Sequence, residues 1–172
     1  GSRRVRASAD CVLIASARAL CTQGAQNEKG PFTLETLRPG LANLDRHIAN
    51  LRKFRVPVGV AINRFPDDSD DLREAIAAFC RERGGEGAAV DVYARGGEGA
   101  LDLGEKAIAL LAQPAADHPH PIYDSALSLT TKIETVAREV YGAGGVYIES
   151  DARKKLDRIT KAGFGHLPVC VA

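Results

Sequence analysis

The chain has 172 residues, 45% of them apolar and 26% charged, and a formal net charge of +1. That composition fits a globular protein with enough chain to bury a core, and excludes a disordered chain. A near-neutral charge without a Lys/Arg block argues against nucleic acid as a partner, and no apolar run reaches membrane-spanning length.

The predicted elements alternate between strand and helix. Residues 1–9 read as an irregular start, with Gly1-Ser2 as a tag remnant. Cys11 to Ala17 is a continuous apolar run, the pattern of a buried strand. Residues 21–40 carry Gly24, Gly30, Pro31, Pro39 and Gly40, and read as an irregular arm with one short helical turn near Thr33. Leu41, Leu44, Ile48 and Leu51 mark one face of a helix. Val56 to Asn63 is a second strand, with Pro57 where the ladder can lack a donor. Pro66 to Ser69 reads as a turn supplying cap side chains to a helix whose buried face is Leu72, Ile76 and Phe79. Ala88 to Tyr93 is a third strand, and a helix over about 100–111 turns Leu103, Ala107 and Leu110 or Leu111 inward. Residues 113–122 are a Pro-rich linker. A helix with Leu129, Ile133, Val136 and Val140 on one face follows, with Lys132, Glu134, Arg138 and Glu139 as solvated charges. Val146 to Glu149 is short and extended, residues 151–162 form a charged helix, and Leu167 to Ala172 reads as a strand cut short.

This order predicts an α/β fold, a mostly parallel sheet flanked by helices with right-handed crossovers. Three parts are expected after the irregular start: an α/β core over 10–112, the linker over 113–122, and a helical or α/β extension over 123–172. The Gly-Ser start and the lack of methionine point to a processed or excised piece. Cys11, Cys21, Cys80 and Cys170 are spaced for neither zinc nor a disulfide framework, and read as buried thiols in a reducing compartment, hence a cytoplasmic protein.

In parallel sheets ligands sit beyond the carboxyl ends of the strands. Two loops are therefore of interest. Asn63-Arg64-Phe65-Pro66-Asp67-Asp68 leaves the second strand. Asn63 either ties its turn together or offers an amide edge to a purine. Phe65 either packs under the turn or presents a ring to a ligand. Tyr93-Ala-Arg95-Gly96-Gly97-Glu98-Gly99 leaves the third strand and enters a helix. Its glycines permit close backbone approach, and the helix start favours an anion. The bland alternative is a glycine-rich connection without a ligand. Phe65 and Tyr93 together can hold a flat heterocycle between their rings. The six letters Arg95 to Ala100 also occur at Arg83 to Ala88, but there they follow a helix and precede a strand, so Gly84 or Gly85 is expected as a helix C-cap. No G-x-x-x-x-G-K-[ST] phosphate loop occurs in the chain. His118 and His120 lie in the linker and read as solvated, His47 reads as a surface residue, and neither a metal site nor a catalytic residue is assigned.

Four stretches carry a resemblance: "GLANLDRHIANLRKFRVPVGVAINRFPDDS", "VYARGGEGALDL", "IYDSALSLTTKIETVAREVYGAGGV" and "GFGHLPVCVA". With "DCVLIASARAL" they run in order from about Asp10 to Ala172, and the chain resembles formate–tetrahydrofolate ligase, also called 10-formyltetrahydrofolate synthetase. The resemblance implies part of a P-loop NTPase-like fold that uses formate, ATP with Mg, and tetrahydrofolate, none held as a tightly bound cofactor. ATP would phosphorylate formate to formyl phosphate, and N10 of tetrahydrofolate would then attack the formyl carbon and release phosphate. It implies that Phe65 and Tyr93 sandwich the pterin of the folate, with Tyr93 where the family usually has Trp. Asn63 and Arg95 to Gly99 would form the nucleotide or substrate loop. After the Phe the family usually reads Pro-Thr-Asp-Thr; here Pro66-Asp67-Asp68-Ser69 adds a charge. The resemblance covers an internal portion of the enzyme that lacks the P-loop region, so the chain alone is expected to be inactive and its parent to be a homo-oligomer. The alternatives are a noncatalytic binding or assembly module that lost the P-loop, or a generic α/β nucleotide-binding module.

Overall fold

The computed structural model describes residues 10–26, 32–112 and 120–171. The chain divides into two compact units, Gly1–Pro119 and His120–Ala172.

In the first unit β1 (Cys11–Ala15), β2 (Val58–Asn63) and β3 (Glu86–Val90) form a parallel sheet in the order β1-β2-β3. Leu13 stands opposite Val60, and Val60 opposite Gly87. Parallel strands need long crossovers. α1 (Ala17–Ala25) and α2 (Leu34–Lys53) make the first, and α3 (Asp70–Glu82) the second. Leu13, Val60 and Ile62 on one face of the sheet meet Leu20, Leu37, Leu44, Ile48, Leu72 and Ile76 of these helices in one apolar core. α5 (Leu101–Leu111) packs on the other face, over β2 and β3. Gly59 lies under it, where a Cβ would stand 2.9 Å from Leu110 Cδ1. α5 leaves the same face of β1 uncovered, so Ile14 is 74% exposed. The expected fully buried first strand is in fact a half-buried one.

The expected irregular arm over 21–40 is largely helical. Ser16 caps α1 through a bond accepted from the Ala19 N–H. A reciprocal Thr33–Thr36 capping box starts α2. Pro39 sits inside α2, where it removes a single ladder donor. Gly24 and Gly40 are the point where the two helices touch: a Cβ on Gly40 would stand 1.9 Å from the Leu20 carbonyl oxygen, and one on Gly24 2.0 Å from that of Thr36. The residues that look like helix breakers make room for another backbone.

α3 follows the expected pattern, with Leu72 and Ile76 buried and Phe79 half-buried. It ends in the glycine cap foreseen for the first hexapeptide copy. Gly84 adopts φ 65°, its N–H donates to the Arg81 carbonyl, and the Gly85 N–H reaches back to that of Cys80, as in a Schellman motif. Ser69 stands at the N-cap of α3, but its side chain makes no cap bond. Its hydroxyl bonds the exposed Asp71 carboxylate instead and holds that group below the ordinary Asp range.

The four cysteines differ in exposure. Cys21 and Cys80 are buried, Cys11 is half-buried and Cys170 is exposed, so the expectation of buried thiols holds for two of the four. Burial pushes the Cys80 thiol up, outweighing Arg81 and Arg83 nearby. In the folded chain at neutral pH, Cys170 is expected to react with a chromogenic disulfide reagent at once, and Cys80 only on unfolding. Peptide mapping of the labelled chain checks this.

In the second unit, α6 (Leu129–Glu139) begins at a Ser128 cap. α7 (Ser150–Ile159) runs on into a wider turn over Thr160–Phe164 that closes at Gly163 with φ 88°. The strand expected over Leu167 to Ala172 does not form: 167–171 pairs with no strand among the described residues, and 146–149 is likewise in no sheet. Side chains satisfy the last segment instead. Lys132, expected as a solvated charge, is fully buried, and its Nζ donates to the Gly165 and Leu167 carbonyls at 2.8 and 3.0 Å. Tyr123 Oη accepts from the Val169 N–H at 3.0 Å, and the Tyr141 hydroxyl donates to the Val171 carbonyl at 2.9 Å. The expected linker lies mostly outside the described residues, as does His118; His120 is exposed.

Candidate functional site

The carboxyl ends of β2 and β3 hold the candidate residues next to each other. The Arg64 N–H extends the ladder by donating to the Val90 carbonyl at 2.9 Å. Its guanidinium lies 3.5 Å from Asp91 Oδ2, which ties the loop after β2 to the loop after β3.

Phe65 opens a closed turn. Its N–H donates to Asp68 Oδ2 at 2.9 Å, and the Asp68 N–H donates back to the Phe65 carbonyl at 3.0 Å. Arg73 of α3 then holds the Asp68 carbonyl through Nη1 at 2.7 Å. The acid that the resemblance places at Asp68 is thus a structural clasp. The added charge, Asp67, lies 3.8 Å from Arg18 Nη2. The clasp leaves the Phe65 ring half-buried.

β3 stops at Val90, three residues before its expected end. Tyr93 lies in α4 (Val92–Arg95), a single helical turn followed by a 3-10 turn over Gly96–Ala100. The reason is local. The Asp91 N–H bonds the Gly99 carbonyl, and the Arg95 N–H bonds the Asp91 carbonyl, so the chain coils back on itself at once. This coil lifts Tyr93 into solvent, 97% exposed.

The three glycines of this loop are not equivalent. Gly96 has φ 57° and ψ −142°, a region open essentially to glycine alone. Gly99 is not among the glycines with positive φ, but a Cβ there would stand 2.2 Å from the Asp91 carbonyl oxygen. Gly97 has neither constraint. Gly96→Ala is therefore expected to cost about 1–3 kcal/mol and Gly97→Ala less than about 0.5 kcal/mol, measured by urea denaturation.

Phe65 and Tyr93 line one cavity of about 210 Å³ together with Arg64, Pro66, Asp91 and Ala94. That volume, walled by two rings and a proline beside the Arg64–Asp91 pair, has room for a small flat ring system. Asn63 does not line it. It lines a second cavity of about 250 Å³ with Ser16, Gln23, Asn43, His47 and Phe65, between the strand ends and the first two helices. Phe65 is the wall common to both. Arg95, Gly96, Gly97, Glu98 and Gly99 line neither cavity. Arg95 to Glu98 are exposed, and Gly99 is half-buried. Two residues of this region were not singled out from the sequence. Arg18 places its guanidinium against the Phe65 ring, and Asp91 anchors both loops. Arg18 lies 47 positions before Phe65, and no spacing rule links them.

Comparison with known proteins supplies the chemical context. Residues 2–172 match the model of a family described as formate–tetrahydrofolate ligase. The chain is similar to three curated proteins of that name. The protein from Beijerinckia indica is 44% identical over 165 residues, covering 94% of this chain and 29% of that protein. The protein from Maricaulis maris is 43% identical over 163 residues, covering 94% and 29%. The protein from Paracoccus denitrificans is 43% identical over 166 residues, covering 95% and 30%. The chain thus spans less than a third of the length of these relatives.

Proposed function

The chain belongs to the formate–tetrahydrofolate ligase family, and on that premise we propose that it forms the folate-facing wall of such an enzyme. Phe65 and Tyr93 are the stacking rings, and the pterin of tetrahydrofolate is the flat heterocycle between them. The observation that carries this reading is that two aromatic side chains from separate loops line one small cavity at the strand ends. An aromatic left 97% exposed, as Tyr93 is, has no packing role of its own to account for it. The Asp68 clasp and the Arg64–Asp91 bridge tie down the backbones that carry the rings, so little backbone ordering is left for binding.

In the parent reaction, formate attacks the γ-phosphorus of ATP, giving formyl phosphate and ADP. N10 of tetrahydrofolate then attacks the formyl carbon, the carbon–oxygen bond to phosphate breaks, and the amine proton is lost. The part assigned to this chain is to hold the pterin so that N10 is presented to the formyl donor. Asn63, in the neighbouring cavity, is assigned to the nucleotide or substrate side, and Arg95 to Gly99 to a loop flanking the pterin slot. The chain contains no G-x-x-x-x-G-K-[ST] loop and hence no phosphate cradle of that type. By itself it is assigned binding but not turnover.

Two assays test this. Titration with tetrahydrofolate, followed by calorimetry, is expected to show saturable binding, whereas a generic nucleotide-binding module would take up ATP and not folate. A coupled assay with formate, ATP and tetrahydrofolate is expected to show no 10-formyltetrahydrofolate above background; turnover by the chain alone would contradict the assignment.

A further inference from the structure

We propose that Arg18 is a positioning residue for the Phe65 ring and sets one wall of the folate slot before the ligand arrives; this rests on the reading of Phe65 as a stacking residue. The Arg18 guanidinium carbon lies 5.3 Å from the centroid of Phe65 and 5.5 Å from that of Phe32. One planar cation therefore joins the ring that precedes α2 to the ring that follows β2. Its Nη2 also lies 3.8 Å from Asp67 Oδ2. A guanidinium can stack on an aromatic face and donate hydrogen bonds from its edge at the same time, which a lysine ammonium cannot do.

The place of Arg18 in its helix bears on this. It is the second residue of α1, directly after Ser16-Ala17, and α1 has no acidic residue in its first turn. A cation at a helix N-terminus is opposed by the helix dipole. Helix formation thus does not explain an arginine here, whereas its contacts to Phe32, Phe65 and Asp67 do. The pair with Asp67 is largely exposed, at 49% and 83%, and exposed pairs contribute little, so the ring contacts are the main partners.

The geometry makes Arg18 a brace and not a competitor. Phe65 lines both cavities at the strand ends, and Arg18 lines neither. Its contact with Phe65 therefore lies outside the space assigned to the ligand. The Asp68 clasp fixes only the Phe65 backbone. A half-buried ring so held still has its χ1 and χ2 freedom, and a guanidinium against it removes part of that freedom. Without the brace, binding would carry the cost of ordering the ring, an affinity loss of about three- to tenfold.

The test titrates tetrahydrofolate into the chain and into its Arg18→Ala, Arg18→Lys and Phe65→Ala variants. Carbon-13 spectra of the phenylalanine rings are recorded without ligand. Arg18→Ala is expected to bind about three- to tenfold more weakly, to keep its circular dichroism spectrum, and to shift the Phe65 ring resonances before any ligand is added. Arg18→Lys is expected to fall between it and the parent. Unchanged affinity in Arg18→Ala beside a large loss in Phe65→Ala would overturn the role of Arg18 and leave the folate reading standing. Weaker binding with unmoved Phe65 resonances would also overturn it, since Arg18 would then act through its charge alone. Parent affinity in Phe65→Ala, or no binding by the parent chain, would overturn the folate reading and the assignment of Arg18 with it. Should Arg18→Ala unfold the chain, Arg18→Lys decides: parent affinity and parent ring resonances would overturn the role.

Discussion

Gly40→Ala is expected to lower the stability of the chain by about 3 kcal/mol, the upper end of the usual cost of overpacking. The added Cβ would stand 1.9 Å from the Leu20 carbonyl oxygen and 2.7 Å from its carbon. Both are backbone atoms of α1, so no rotamer change relieves the clash; the two helices must move apart. Leu20, Leu37 and Leu44, all in the same buried core, would move with them. Gly24→Ala meets the same crossing from the other side, 2.8 Å from the Gly40 nitrogen, so the double change is expected to cost less than the two single costs added. Gly104, an exposed glycine inside α5 with open space around it, is the control. There alanine is expected to stabilise by up to about 1 kcal/mol through helix propensity. Urea denaturation of the three single variants and the double variant separates these effects. If Gly40→Ala behaves like Gly104→Ala, the contact between α1 and α2 is not as close as described.

Replacing Phe65 or Tyr93 by alanine is expected to weaken tetrahydrofolate binding about tenfold each, and replacing both by about a hundredfold, the scale of a base stacked on an aromatic side chain. The two changes should differ in their effect on stability. Tyr93 is 97% exposed, so its loss is expected to leave the unfolding midpoint unchanged within error. Phe65 carries the Arg18 contact and is half-buried, so its loss is expected to cost about 1 kcal/mol. Tyr93→Phe keeps the stacking face and should bind nearly as the parent, while Tyr93→Trp enlarges it and should bind more tightly. Calorimetric titration paired with denaturation reads both quantities. Loss of binding that tracks loss of stability would mean that the rings are packing residues.

The parts of this fold that could be read from the sequence are those in which one physical cause dominates. The apolar run of β2 and the spacing of Leu72 and Ile76 in α3 reflect burial alone, and both elements form, β2 starting at Val58 and not at Val56. The Gly84 cap was legible because a helix end and a turn glycine coincide. The region over 21–40 was not. Gly24, Pro39 and Gly40 count as breakers in a single-sequence reading, and only the second helix reveals that two of them are contact points. The same holds for Lys132, whose charge suggested a solvated face. Its partners are carbonyls more than thirty residues later, which no periodicity records. At the candidate site, Phe65 and Tyr93 could be paired because each follows a strand of a parallel sheet. The brace on Phe65 could not, since it comes from α1 across the sheet's edge. β3 ends earlier than the strand preferences of Val92 and Tyr93 suggest, because the Asp91–Gly99 and Asp91–Arg95 bonds coil the chain there.

The central claim is that Phe65 and Tyr93 form the two walls of a single folate slot, and the most direct measurement is intermolecular proton NOEs between bound tetrahydrofolate and the two rings. Cross-peaks from the pterin C7 protons to both the Phe65 and the Tyr93 ring protons are expected, with none to Asn43 or His47 in the neighbouring cavity. Cross-peaks to only one ring, or to residues of the neighbouring cavity instead, would contradict the claim.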